Sequence, residues 1–514
     1  MPKAVAHYLQ ATQLDDQNPA PFLRMGILYG RSGDPAAAEA AFKRAEELYA
    51  ARSRVEGVAT VSYERGVMLD RFERLTEAGA ALERALQLAA SVDSAYLRAA
   101  VLFKLSGVAG AQGRYDDAEK HARDGLRISE GFEGLNAFGL VDLGNVFVYR
   151  GQLKTAEQHF RSAVDRADRS GARRSQARAR LALAGLLMPT GSLAEAIAEA
   201  RAAFTYYDQT GFTALRARAL TLLARGEERL GNLTAAQASY EALLASAVAT
   251  GNERQVAEQH DSLSRVLLRR EFYVVALRHG DESLTRFRSL KAPYDIARGT
   301  VLHADILWRM GRLDDADREL DAMFGRDSGM GAATTTLERL RALGRARVLL
   351  ARNENARAAA IARRALAAAP ADLSAAMRGE LQHVVVLALA RGGRAAEAVS
   401  LMEAASNAAV ESADRHAIAR AALAKAEVLV RLRRYDETLT AAGPLAHQLA
   451  ADERHESAWL AARLAAQAAT ALGRTDAVAR WQALADAERT RFIAQFDAAG
   501  LRLYESRPDL KPWL

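Results

Sequence analysis

Side chains able to do chemistry are few in this chain. Ten histidines are spread over 514 residues, and cysteine is absent. Without thiols there is no disulfide, no cysteine nucleophile and no cysteine-held metal. His260 stands beside Asp261, and His303 lies two positions before Asp305. These pairs fall on equivalent helices of neighbouring repeats and are expected to approach each other. A metal centre needs several ligands converging from fixed directions, so two such pairs read as polar surface clusters. Asp116-Asp117 and Asp314-Asp315 follow turn residues. Acids there complement the positive end of a helix and do not form an acid–base dyad. The phosphate-binding loop, the HExxH helix, the Gly-x-Ser-x-Gly elbow and the protein-kinase signatures are all missing. Gly329-Met330-Gly331 has no strand before it and carries no meaning for a nucleotide. Neither an enzyme nor a cofactor is expected.

Composition narrows the class. Half the residues are apolar, mostly Ala and Leu, a quarter are charged, and only ten are proline. Ala, Leu, Arg and Glu lose little side-chain freedom in a helix, so an all-α fold is predicted. The net charge of +7 is modest. Basic residues come singly or in pairs such as Arg173-Arg174, without interleaved aromatics, so no nucleic-acid partner is expected. No stretch has the apolar length of a membrane span, and residues 1–20 lack a signal-peptide core. A cytoplasmic protein is the expectation.

Whatever does the work must be positioned by a repeat. Gly26, Gly33, Ala38 and Phe42 recur in the same frame as Gly144, Gly151, Ala156 and Phe160, and as Ala224, Gly231, Ala236 and Tyr240. The first small residue runs Gly26, Gly66, Ser106, Gly144, Ala184, Ala224, Ser264, Ala304, Ala346, Val386, Ala426, Ala466. Each step is 40 residues, except one of 38 and one of 42. Small side chains let two helices touch, and the large residue fills the space towards the next pair. The turn Gly33-Asp34-Pro35 supplies a helix stop, an N-cap and a first-position proline in succession.

This frame resembles the tetratricopeptide repeat family from about residue 4 to about 487, with a unit of about 40 residues in place of 34. Similar longer units occur in bacterial regulatory proteins. The resemblance implies a right-handed α-solenoid of helical hairpins. Residues 1–18 read as the second helix of a repeat cut short, which predicts a piece of a longer protein. Residues 19–328 then hold repeats one to eight, 332–487 repeats nine to twelve, and 488–514 a helix extension with a tail. The segment 327–331 is a candidate bend. The tail from Arg507 to Leu514 is expected to pack back on the final hairpin, with a docking peptide as the alternative. Thr438 and Val478 replace the usual second-helix alanine in the last two repeats.

Carried over position by position, the family's groove-lining sites gather polar residues in repeats six to eight. They are Arg218, Arg225, Glu228 and Arg229; Asp261, Arg265 and Arg269; Arg298, Asp305, Trp308 and Arg309. An arginine recurs at one such site in Arg31, Arg71, Arg229, Arg269, Arg309, Arg391 and Arg431. A cation near a helix C-terminus is favoured by the dipole alone; as a ladder, these guanidiniums would suit an acidic peptide. The implied function is a protein-interaction scaffold, as the regulatory or sensory region of a larger bacterial signalling protein that carries, for example, a kinase or ATPase module. The alternative is a sensor of small ligands or signal peptides. The Lys and Asn of the chaperone-binding clamp are matched only by Asn145, so chaperone binding is not expected.

Overall fold

In a computed structural model of the chain, the structure describes residues 2–190, 192–323, 333–368 and 373–514. Among these residues there are 26 helices and no strand. Successive helices pair as antiparallel hairpins, and hairpins stack on their sequence neighbours in a right-handed solenoid, the architecture read from the repeat. The segment 327–331 lies outside the described residues.

Chain geometry repeats at half the sequence period. Left-handed residues recur in runs of 20-residue steps: Gly33, Ser53, Glu73, Asp93 and Gly113; then Gly151 and Gly171; then Gly211, Gly231, Gly251, Glu271, Lys291 and Gly311. At each of the first five, the amide of the next residue reaches back to a carbonyl five positions earlier, as Arg54 does to Tyr49 at 3.0 Å and Arg74 to Leu69 at 3.0 Å. That is the Schellman closure, which satisfies carbonyls the helix leaves open. The same residue then begins the next helix, so one short motif ends and restarts the chain.

The small-against-large frame is what packs the hairpins. A Cβ built on Gly26 would lie 2.5 Å from the Phe42 ring, one on Gly66 2.6 Å from Leu82, and one on Gly144 2.4 Å from Phe160. Ala38, Ala78, Ala118 and Ala156 are fully buried at the opposite contact, where added volume would force backbone shifts. Thr438, the departure from that pattern, is equally buried and returns its hydroxyl to the Arg434 carbonyl at 2.9 Å. The larger residue is accommodated by an internal hydrogen bond.

The chain divides into two compact units, residues 1–219 and 220–514, and the division falls within the helix Thr213–Leu230. The first unit opens with the helix Pro2–Leu14 and continues as hairpins whose partners are close in sequence.

The second unit folds back on itself. Arg269 is 2.8 Å from Asp414, Arg270 donates to Glu453 at 2.5 Å, and Glu271 accepts from the Ser457 amide at 3.1 Å. Those contacts bring the ends of repeat seven's first helix, Glu253–Arg269, to the starts of Arg415–Arg431 and His455–Ala471. The tail then crosses the interior of the same unit. After the helix Ala498–Glu505, the Asp509 amide bonds the Ala351 carbonyl at 3.2 Å, and Asn353 donates to the Pro508 carbonyl at 2.9 Å. The tail rests in part on its own final hairpin, where Tyr504 meets Phe492 and Phe496. Its longer reach is to repeats eight to ten.

Candidate functional site

The polar sites predicted in repeats six to eight are largely spent on one another. Glu228 is buried and accepts from Arg265 at 2.9 Å and from the Tyr240 hydroxyl at 3.1 Å, with Arg269 at 3.3 Å. Burial alone would raise its carboxyl, but the two arginines outweigh burial and bring it to about 2. Asp261 is likewise buried between Arg298 at 2.6 Å and Arg265 at 3.4 Å. Asp305 accepts from Arg347 at 2.6 Å and from the Trp308 indole at 2.9 Å, and Arg309 donates to its carbonyl at 2.9 Å. Arg229 donates to the Ser412 carbonyl at 3.2 Å. Arg225 is exposed, as is Arg218 in the first unit.

The histidine pairs are not joined as their spacing suggested. His260 meets His279, Nδ1 to Nδ1, at 2.9 Å. His303 lies between Glu319 at 2.8 Å and Asp281 at 3.0 Å. Burial and the second imidazole push His260 down to about 4. Each ring finds its partner on a second helix, not on the next repeat's first helix: an imidazole for His260, two carboxylates for His303. Among the described residues no group of three or more His, Asp or Glu is placed to hold a metal ion.

What the structure does bring together is a cavity of about 150 Å³ inside the second unit. Of the sites predicted in repeats six to eight Trp308 and Arg309 line it, and so does Arg391 of the arginine series. Its cations are Arg309, Arg347, Arg391, Arg420, Arg454 and Arg507, and its acids are Glu271, Glu427, Glu456 and Asp509. Successive first helices Ala375–Arg391, Arg415–Arg431 and His455–Ala471 lie side by side and turn one stripe each inward. The stripes read His383-Leu387-Arg391, His416-Arg420-Leu423-Glu427 and Glu456-Leu460-Leu464. Residues three and four apart share a helix face, which explains how the spacing gathers them.

The tail closes one side. Tyr504 is fully buried and donates to Glu456 at 2.8 Å. The Arg507 guanidinium bonds Asp509 at 3.0 Å, the Arg309 carbonyl at 3.0 Å and Glu456 at 3.3 Å. It also stacks on Trp308, 5.1 Å from the ring centre, and Arg309 lies at 4.4 Å. Burial strongly disfavours charge on both histidines of the cavity: His383 falls to about 3 and His416 well below its ordinary value. Burial, with Arg347 and Arg309 nearby, also lowers Arg420 to about 10.

Sequence reasoning missed Arg347, Glu380, Arg420, Glu427, Arg454 and Glu456. A signal was available: Glu427 stands between Ala426 and Val428-Leu429-Val430, all of them buried. A charge in that position needs a buried partner.

The tetratricopeptide repeat model matches residues 57–131. No curated protein is matched by the sequence. Among solved structures, a Rap protein complexed with Competence and Sporulation Factor is similar over 71% of this chain and 99% of its own, at 14% identity and a TM-score of 0.41. A tetratricopeptide repeat protein from Parabacteroides merdae is similar over 58% and 99%, at 17% identity and 0.39. A signal-transduction ATPase with a tetratricopeptide repeat sensor from Pyrococcus horikoshii is similar over 60% and 45%, at 14% and 0.40. At those values no residue role passes from them to this chain. Among the described residues no helix is long and apolar enough to cross a membrane. Residues 57–131 thus match the tetratricopeptide repeat model, and the same small–large frame is buried in hairpin after hairpin among the described residues.

Proposed function

We propose that the chain is a non-catalytic scaffold that captures a protein or peptide segment among the first helices of its second unit. One observation supports this most directly: that surface already holds a segment of chain, residues 498–514. The segment is held as a foreign peptide would be, by Tyr504 and Arg507 inserted as anchors and by main-chain bonds to Ala351 and Asn353. Buried Tyr and Arg anchors carry most of the affinity in such contacts. In this reading the predicted arginine ladder is mainly internal scaffolding in the second unit. Specificity comes instead from Trp308, Glu456 and Arg391. A regulatory place within a larger signalling protein belongs to the same reading, on the resemblance of the long repeat unit.

The test uses a fluorescent synthetic peptide with the sequence of residues 498–514. It is added to the full chain carrying Tyr504→Ala and Arg507→Ala, which frees the surface. Saturable binding to that variant, at least about tenfold tighter than to the unmodified chain, is expected. Equal or absent binding to both would remove the peptide-capture reading.

A further inference from the structure

The cavity contains one cation held by a single long ion pair. Arg347 is bonded to Asp305 and Glu380, Arg391 to Glu427 and Asp509, and Arg507 to Asp509 and Glu456. Arg420 donates to Glu380 at 2.7 Å. Arg454 differs. It is 5% exposed, it lines the cavity, and among the described residues its side chain makes no hydrogen bond. Its one ion-pair contact is Glu271 at 3.7 Å, and that carboxylate is already engaged by the Ser457 amide and hydroxyl. His416 also lines the cavity, with Nδ1 buried and unpartnered.

A buried guanidinium left without hydrogen bonds is costly. Burial, with Arg347 and Arg309 nearby, lowers the affinity of Arg420 for its proton in the same region. The lining also includes the apolar side chains Leu387, Leu423, Leu460, Leu464 and Trp513. A space of this size takes a body about as large as benzene. It is larger than a bare tetrahedral oxyanion needs.

We propose that this cavity is a binding site for a small organic carboxylate with a compact apolar body. The carboxylate pairs with Arg454, in the planar two-bond geometry that guanidinium offers, and accepts from His416 in its Nδ1–H tautomer. The apolar body lies against Leu423, Leu460 and Leu464. Nothing in the peptide-capture reading requires this ligand, so either can fail alone.

Four probes test it on the full chain by thermal shift and calorimetry: benzoate, hexanoate, the neutral isostere benzamide, and inorganic phosphate. Benzoate or hexanoate is expected to raise the melting temperature and bind one-to-one. Benzamide and phosphate are expected to bind at least about tenfold more weakly. Arg454→Gln should reduce carboxylate affinity by about tenfold or more. Should that variant fold poorly, Leu460→Phe fills part of the cavity, keeps every charge and should also abolish binding. No response to either carboxylate at about ten millimolar would overturn the proposal, as would benzamide or phosphate matching benzoate, or undiminished binding by Leu460→Phe.

Discussion

The Tyr273 hydroxyl donates to the carboxylate of Glu456, a residue 183 positions later in the chain. The other oxygen of Glu456 accepts from Tyr504 and Arg507 of the tail. One carboxylate therefore fastens both the closure of the second unit and the segment that crosses it. Glu456→Ala leaves a buried guanidinium and two phenols without their acceptor, and is expected to cost about 3–5 kcal/mol. Glu456→Gln keeps one acceptor and should cost less. Urea denaturation followed by far-ultraviolet dichroism checks the order.

Gly311 and Gly33 form a controlled pair. Both have left-handed backbone, with φ of +84 and +91. A Cβ on Gly33 meets nothing within 4 Å, whereas one on Gly311 would lie 1.9 Å from the Leu503 carbonyl oxygen. Gly33→Ala should cost only about 1 kcal/mol of backbone strain. Gly311→Ala should add displacement of the tail, visible as rapid tryptic cleavage after Arg502. Equal cleavage of both variants would mean the tail is not docked against that turn.

Arginines that look alike in sequence should behave differently. Arg265 neutralises Glu228, which is 4% exposed, while Arg225 is exposed. Arg265→Ala is expected to destabilise by on the order of 3 kcal/mol. Arg225→Ala should stay within about 0.5 kcal/mol. Thermal melts of the two single variants separate structural from surface arginines.

Stability should fall on mild acidification. His383, facing Arg420, Glu380, Arg347 and Arg391, is neutral in the fold because burial and the arginines bring it to about 3. In the unfolded chain a histidine gains its proton near 6.5. The unfolded state thus binds more protons as pH drops from about 6.5 towards 3, and stability is lost across that window. His416, lowered by burial and the arginines around it, acts in the same sense. Glu228 adds a further loss from about 4.3 down to about 2. Glu271, whose carboxyl burial raises, opposes the trend. His383→Gln should flatten the melting-temperature profile between pH 7 and 5; an unchanged slope would assign the effect elsewhere.

The hairpin frame was legible because it is local. Gly26 against Phe42 and Gly66 against Leu82 are contacts within one repeat, so spacing alone specifies them. Equal 20-residue steps were harder to see, since Glu73 and Asp93 take the left-handed turn that Gly33 and Gly113 take. The cavity was hidden for a different reason. Arg269 with Asp414 and Arg391 with Asp509 join residues 145 and 118 positions apart. No periodicity carries information about which repeats meet after a full circuit. Trp308 and Arg309 were identified through family position, but their companions Arg454 and Glu456 belong to that circuit.

Closure also changes how the second unit should come apart. An open array of repeats melts in stages, because each hairpin is held only by the two beside it. Here the seventh repeat is bolted to the eleventh and twelfth through Arg269, Arg270 and Tyr273. Terminal fraying must break those bolts before any hairpin can peel away. Residues 220–514 should accordingly lose amide protection as a single cooperative block.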